Sequence, residues 1–168
     1  MKPKIKASDF IVNYLLSKGV NKCFCVTGGG AMHLNDSFGH HKEFQTIYNH
    51  HEQACSMAAE GFTRTTNIPS VVCVTSGPGS TNAITGVLGA WLDSIPMIVI
   101  SGQMKLETTL SSQPLPLRYL GFQEANIIQI ISSITKYAIK IENINDLEFH
   151  LEKAFFLATT GRKGPVWL

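Results

Sequence analysis

The sequence predicts an α/β fold, a three-layer sandwich in which helices cover both faces of a mostly parallel central sheet of about six strands. Three observations predict it. Short apolar runs with β character alternate along the chain with helical stretches. Two of these runs, Ser70 to Val74 and Met97 to Ile100, are almost continuously apolar, which suits strands buried on both faces of a parallel sheet. The runs also end in glycine-rich or polar turns that lead into the next helix, the order of right-handed βαβ units.

Taken in order, Ser8 caps a helix whose apolar positions Phe10, Ile11, Tyr14 and Leu15 fall at helical spacing, and Gly19 stops it. Lys22 to Val26 reads as the first strand, Thr27-Gly28-Gly29-Gly30 as a turn and Ala31 to Phe38 as the second helix. Gln45 to Tyr48 is the second strand and Glu52 to Thr65 the third helix. Pro69 breaks the chain before the strand Ser70 to Val74, which Thr75-Ser76-Gly77-Pro78-Gly79 turns into a helix running from Ser80 or Thr81 to Asp93. Met97 to Ile100 is followed by Ser101-Gly102-Gln103. Residues 104–121 hold Pro114 and Pro116 and are long for a connection, which marks a functional or mobile loop. Phe122 to Ile131 reads as a short helix, Ile134 to Ile139 as a strand, and Asn145 caps a helix to Thr160, after which Gly164 to Leu168 begins another strand. The general form is flavodoxin-like.

With 168 residues, 44% of them hydrophobic, the chain is long enough for one domain with a sizeable core. A net charge of +2, with dispersed Lys and Arg, gives no electrostatic footprint for nucleic acid. No apolar run approaches a bilayer span, and Met1-Lys2-Pro3-Lys4-Ile5-Lys6 lacks the apolar stretch of a signal peptide, so a cytoplasmic location is expected. Cys55 and Cys73 stand alone, and Cys23 and Cys25 are expected on opposite faces of a strand. The four cysteines therefore read as buried free thiols. His40-His41 and His50-His51 have no partners at zinc spacing, and no metal is assigned to this chain.

Thr27 to Gly30, His50 to Gln53, Thr75 to Asn82 and Ser101 to Gln103 each follow a predicted strand, so a parallel sheet gathers them on its carboxyl edge, where small ligands bind. A dinucleotide fingerprint fails because His33 stands where its third glycine is needed, and no Gly-Lys-Ser or Gly-Lys-Thr ending supplies a P-loop. Glu52 opens a helix at that edge, where the helix dipole alone would stabilise a carboxylate and a crevice would put it to chemical use.

Together these segments resemble the N-terminal, aminopyrimidine-binding domain of thiamine diphosphate enzymes of the acetolactate synthase and pyruvate oxidase group. The resemblance rests on Phe24 to Gly29, on His51-Glu52-Gln53 with Ala58, Ala59, Gly61 and Arg64, and on the run Thr75 to Asn82. It continues through Pro96 to Gln103, Phe122-Gln123-Glu124, Thr135-Lys136 and Ala158 to Val166. It implies that Glu52 is the glutamic acid that hydrogen-bonds the cofactor's aminopyrimidine and promotes loss of the thiazolium C2 proton. It also implies that Thr27, Gly28, Thr75, Pro78 and Asn82 line the aminopyrimidine pocket and that Gln103 faces the reacting carbon. Simple pyruvate decarboxylases carry a His-His pair in the loop that follows the position of Gln103, and the absence of histidine from residues 53–149 points to a carboligase acting on a 2-oxo acid.

Three positions depart from the pattern. Thr27 stands where the family often has proline, Arg118-Tyr119-Leu120-Gly121 replaces Gly-Thr-Asp-Ala, and Asn126 replaces a frequent aspartate. A carboligase acting on a nucleotide-linked sugar in polysaccharide synthesis is therefore an alternative, as is a non-catalytic module of the same fold, against which retention of Glu52 argues. The Gly-Asp-Gly motif that holds diphosphate and Mg2+ in such enzymes is absent. The resemblance thus implies a longer enzyme, a homodimer or homotetramer with the cofactor at a subunit seam, whose further domains bind the diphosphate and, in acetolactate synthases, FAD. The isolated chain is expected to be inactive. The small-residue faces around Ala58, Ala59 and Gly61 and around Ala83, Gly86 and Ala90 are expected to pack against another domain or subunit.

Overall fold

The structure, a computed structural model, describes residues 4–114 and 116–168. Met1 to Pro3, part of the stretch read for a signal peptide, and Leu115 of the long connection lie outside the described residues. The strands are β1 Lys22–Cys25, β2 Gln45–Tyr48, β3 Ser70–Val74, β4 Met97–Ser101, β5 Tyr137–Ala138 and β6 Pro165–Trp167. They form one sheet in the order β2-β1-β3-β4-β6-β5, with every neighbouring pair parallel. Helices α1 (Ala7–Ser17), α2 (Met32–His40) and α7 (Leu147–Thr159) cover one face, and α3 (Glu52–Thr66), α5 (Ile84–Leu92) and α6 (Ile127–Ile131) the other. The short helix α4 (Pro78–Asn82) sits at the end of β3.

Strand alternation divides the core. On β3, Val71 and Cys73 join Val12, Phe38 and Leu151 on the first face, while Val72 and Val74 join Cys55, Ala59 and Val87 on the second. Burial on both sides is the reason β3 and β4 lack a polar face. Trp167 is fully buried, and its indole nitrogen donates to Ser101 Oγ at 2.8 Å, which satisfies its polar tip. Among the described residues no helix is long and apolar enough to cross a membrane.

Several local expectations are corrected. Lys6, not Ser8, precedes α1; Ser8 is buried, and its hydroxyl accepts from Ser37 Oγ at 2.8 Å. The helix expected from Ser80 to Asp93 starts earlier, because Pro78 is suited to a first helical turn, and it breaks at Ala83, whose N–H bonds Ser80 O at 3.1 Å. The helix expected from Phe122 shrinks to α6, since Gln123 adopts φ +56° and Asn126 caps the turn by accepting from Gln129 N. The strand expected over Ile134 to Ile139 shrinks to two residues. Before α7 it is the Asn143 side chain that accepts, from Asn145 N, at the start of a 3-10 turn. Cys23 and Cys25 lie on one face, with Cys73, as residues two apart on a strand must. All four cysteines are free and buried.

Candidate functional site

The chain steps from β1 outward to β2 and then back across β1 to β3, so β1 and β3 flank the point where strand order reverses. The crevice outside their carboxyl ends is where an open α/β sheet binds its ligand. Two turns meet there. Gly28, after β1, lies so close to Thr75, after β3, that a Cβ on Gly28 would stand 2.6 Å from Thr75 Cγ2. Gly30 N–H donates to Thr75 Oγ1 at 3.1 Å, and Ser80 Oγ donates to Thr75 O at 2.6 Å. Gly77 has φ +62°, and a side chain there would also collide with the Gln123 carbonyl, so glycine is required twice over.

Glu52 is the first residue of α3, behind His51, whose Nδ1 accepts the Gln53 N–H at 3.1 Å. Asn82, at the end of α4, donates through Nδ2 to Glu52 Oε2 at 2.9 Å. The other carboxyl oxygen faces Gly79, where a Cβ would stand 3.2 Å from Oε1 and 2.6 Å from Thr75 Cγ2. Gly28, Thr75, Gly79, Asn82 and Glu52 therefore form a cradle with one half-buried carboxyl group in its wall, and Thr27 and Pro78 are exposed at its rim. A flat heteroaromatic ring that needs one carboxyl partner and close backbone approach fits such a cradle.

Over residues 5–130, three quarters of its length, the chain matches the family described as thiamine pyrophosphate enzyme, N-terminal TPP binding domain. The chain belongs to this family. Among curated proteins, this TPP-binding domain is 36% identical over 164 residues to the chloroplastic acetolactate synthase of Arabidopsis thaliana, covering 96% of the chain and 23% of that protein. It is 37% identical over 162 residues to the acetolactate synthase large subunit of Buchnera aphidicola subsp. Schizaphis graminum, and 36% identical over 162 residues to the isozyme 3 large subunit of Escherichia coli K12; each alignment covers 96% of the chain and 27% of the relative. The chain thus spans about a quarter of the length of these relatives.

Of the residues singled out from the sequence, the TPP-binding domain joins Glu52 to Asn82 and Gly28 to Thr75 directly. Gln103 is on the same edge, after β4, where Gly102 packs on the Gly30 backbone. Its Oε1 accepts from Met104 N at 2.9 Å, and it lines a separate apolar cavity of about 760 Å³ between β4, α1, α7 and the long connection. Among the described residues no group of three or more His, Cys, Asp or Glu side chains is placed to hold a metal ion.

Gly86 does not face outward. A Cβ on it would stand 2.7 Å from Ser56 Cβ and 2.8 Å from Met57 N, so it lets α5 lie against α3 within the domain, whereas Gly61 is open. Glu124, not expected at a site from the sequence, accepts N–H bonds at its carboxylate from Leu110 (2.9 Å), Gly121 (3.0 Å) and Leu120 (3.3 Å) and so ties down the long connection. Burial opposes its ionisation, but the three N–H donors outweigh it and hold its pKa below the ordinary value. The only sequence signal for this was the Phe122-Gln123-Glu124 match.

Proposed function

We propose that this chain is the aminopyrimidine-binding part of a thiamine diphosphate-dependent 2-oxo acid decarboxylase and carboligase resembling acetolactate synthase, in which Glu52 is the catalytic acid. The observation that carries the proposal is the half-buried Glu52 carboxyl group, held by Asn82 at 2.9 Å beside Gly79 at the strand-order switch. Thiamine diphosphate supplies the carbanion-stabilising chemistry when bound. The backbone of Thr27 and Gly28, together with Thr75, Pro78 and Asn82, would hold its aminopyrimidine half. Glu52 Oε1 would hold and return a proton there while Asn82 keeps Oε2 in place. Gln103 would approach the substrate from the β4 side.

Diphosphate, Mg2+ and any FAD would be held by other parts of a longer, cytoplasmic protein, as the coverage of about a quarter of the relatives allows. That protein would be a homodimer or homotetramer with the cofactor at a subunit seam, and the isolated domain would be inactive. The exposed Met57, Leu88 and Leu92 on the outer faces of α3 and α5 are apolar surface suited to that seam. A second reading, a carboligase for a nucleotide-linked sugar, is favoured by the Arg118-Tyr119-Leu120-Gly121 sequence on the long connection. Turnover of the full-length protein with pyruvate and with nucleotide-linked sugars separates the two. Glu52→Gln should lower thiamine diphosphate-dependent turnover roughly 10²-fold or more, the range of a lost general acid. Retained turnover would refute the assignment.

A further inference from the structure

Thr27 takes the position where the resembling family often has proline, so ring rigidity does not hold the turn that follows β1. A side chain from α2 holds it instead. The Gly28 carbonyl accepts two hydrogen bonds, from Ala31 N at 3.0 Å and from Asn35 Nδ2 at 3.3 Å. The other end of the same amide, Asn35 Oδ1, lies 3.4 Å from Cys25 Sγ and 3.7 Å from Cys73 Sγ. These two cysteines stand opposite each other in the β1–β3 register.

We infer that Asn35 is a positioning residue for the aminopyrimidine site: its amide, oriented by the thiols of Cys25 and Cys73, fixes the Gly28 carbonyl and with it one wall of the cradle. The inference rests on the functional reading given above. Only one orientation of the amide satisfies its surroundings. Turned over, its oxygen would oppose the Gly28 carbonyl oxygen, and its NH2 would meet sulfur, a weak acceptor. Both thiols stay protonated and able to donate. The neighbouring thiols and burial raise the pKa of both Cys25 and Cys73. The clamp extends to the carboxyl group: Gly28 presses on Thr75, Thr75 Oγ1 receives the Gly30 N–H, and the Thr75 methyl fills the space beside Gly79, next to Glu52.

The test is calorimetric titration of thiamine diphosphate, with Mg2+ present, into the full-length apoprotein and its Asn35→Ala and Asn35→Asp variants. Alanine removes the contact with Gly28 and those with both thiols. Aspartate keeps the acceptor for the thiols and replaces the donor with a group that repels the Gly28 carbonyl. Each variant should bind about tenfold more weakly, the worth of one hydrogen bond, with an unchanged circular dichroism spectrum and thermal midpoint. A merely structural role would lower the midpoint and the fraction competent to bind while leaving the dissociation constant of that fraction unchanged, and that result would overturn the inference. Failure of both variants to fold would overturn it too, by making Asn35 a residue of the core. If wild type does not bind thiamine diphosphate, the functional reading falls and takes this inference with it. Wild-type affinity in folded Asn35→Ala, beside lost turnover in Glu52→Gln, overturns the role of Asn35 alone.

Discussion

Asn82 Nδ2 donates to Glu52 Oε2 at 2.9 Å, although the two residues are 30 apart in sequence and belong to different helices. The contact exists because α3 and α4 both begin at the carboxyl edge, one after β2 and the other after β3. It leaves the second carboxyl oxygen facing the cradle.

Asn82→Ala removes that donor without opening the core, since Asn82 is exposed. Turnover of the full-length protein should fall roughly tenfold, the worth of one hydrogen bond, while the thermal midpoint stays at the wild-type value. Asn82→Asp should cost more, because it replaces the N–H donor with an acceptor oxygen facing Oε2. Steady-state rates and a melting curve for each variant check this. Unaltered rates in Asn82→Ala would show that Glu52 needs no positioning partner.

The outer faces of α3 and α5 predict a separation of fold from assembly. Gly86→Leu forces a side chain into Ser56 and the Met57 backbone, so it should destabilise the domain by about 3 kcal/mol or more, the upper range for overpacking. Leu92→Lys, at a residue that is 63% exposed, should leave the melting transition unchanged and reduce the mass measured by light scattering if this face is the subunit seam. Unchanged mass in Leu92→Lys would locate the seam elsewhere.

Glu124 predicts an acid-sensitive loop. Its pKa is lowered in the folded state, so its contribution is complete above the ordinary glutamate value of 4.5 and is lost as pH falls through the lower folded value. Protection factors for the backbone amides of residues 104–114 and 116–121, taken against the intrinsic exchange rate at each pH, should therefore be high at neutral pH and fall in acid. Glu124→Gln should show the lower protection already at pH 7, because a neutral amide oxygen accepts the Leu110, Leu120 and Gly121 N–H bonds more weakly. Equal protection in wild type and variant at pH 7 would remove the carboxylate from the account of this loop.

Much of this was legible in the sequence for physical reasons. Two-sided burial left continuous apolar runs at β3 and β4, and a parallel sheet has no choice but to collect the turns after its strands on one edge. The run Thr75 to Asn82 and Glu52 could be singled out as separate segments. Their mutual contacts could not, since the Glu52–Asn82 bond and the Gly28–Thr75 packing depend on strand order. The small residues of α5 were visible, but which neighbour they admit was not, because Gly86 faces Ser56 only once α3 and α5 lie side by side. Asn35 carries no local pattern, and Glu124 carries only its place in the Phe122-Gln123-Glu124 match. Each acts on backbone groups brought near by loop geometry, Gly28 O in one case and three N–H groups in the other.

If Glu52 governs proton loss from the cofactor, replacing its carboxyl group slows that loss. The most direct measurement is hydrogen–deuterium exchange at C2 of thiamine diphosphate bound to the full-length protein, followed by NMR after acid quench, in wild type and Glu52→Gln. Exchange should be slowed roughly 10²-fold or more in the variant, in step with lost turnover and with cofactor still bound. Exchange at the wild-type rate in a folded, cofactor-loaded Glu52→Gln protein would contradict it.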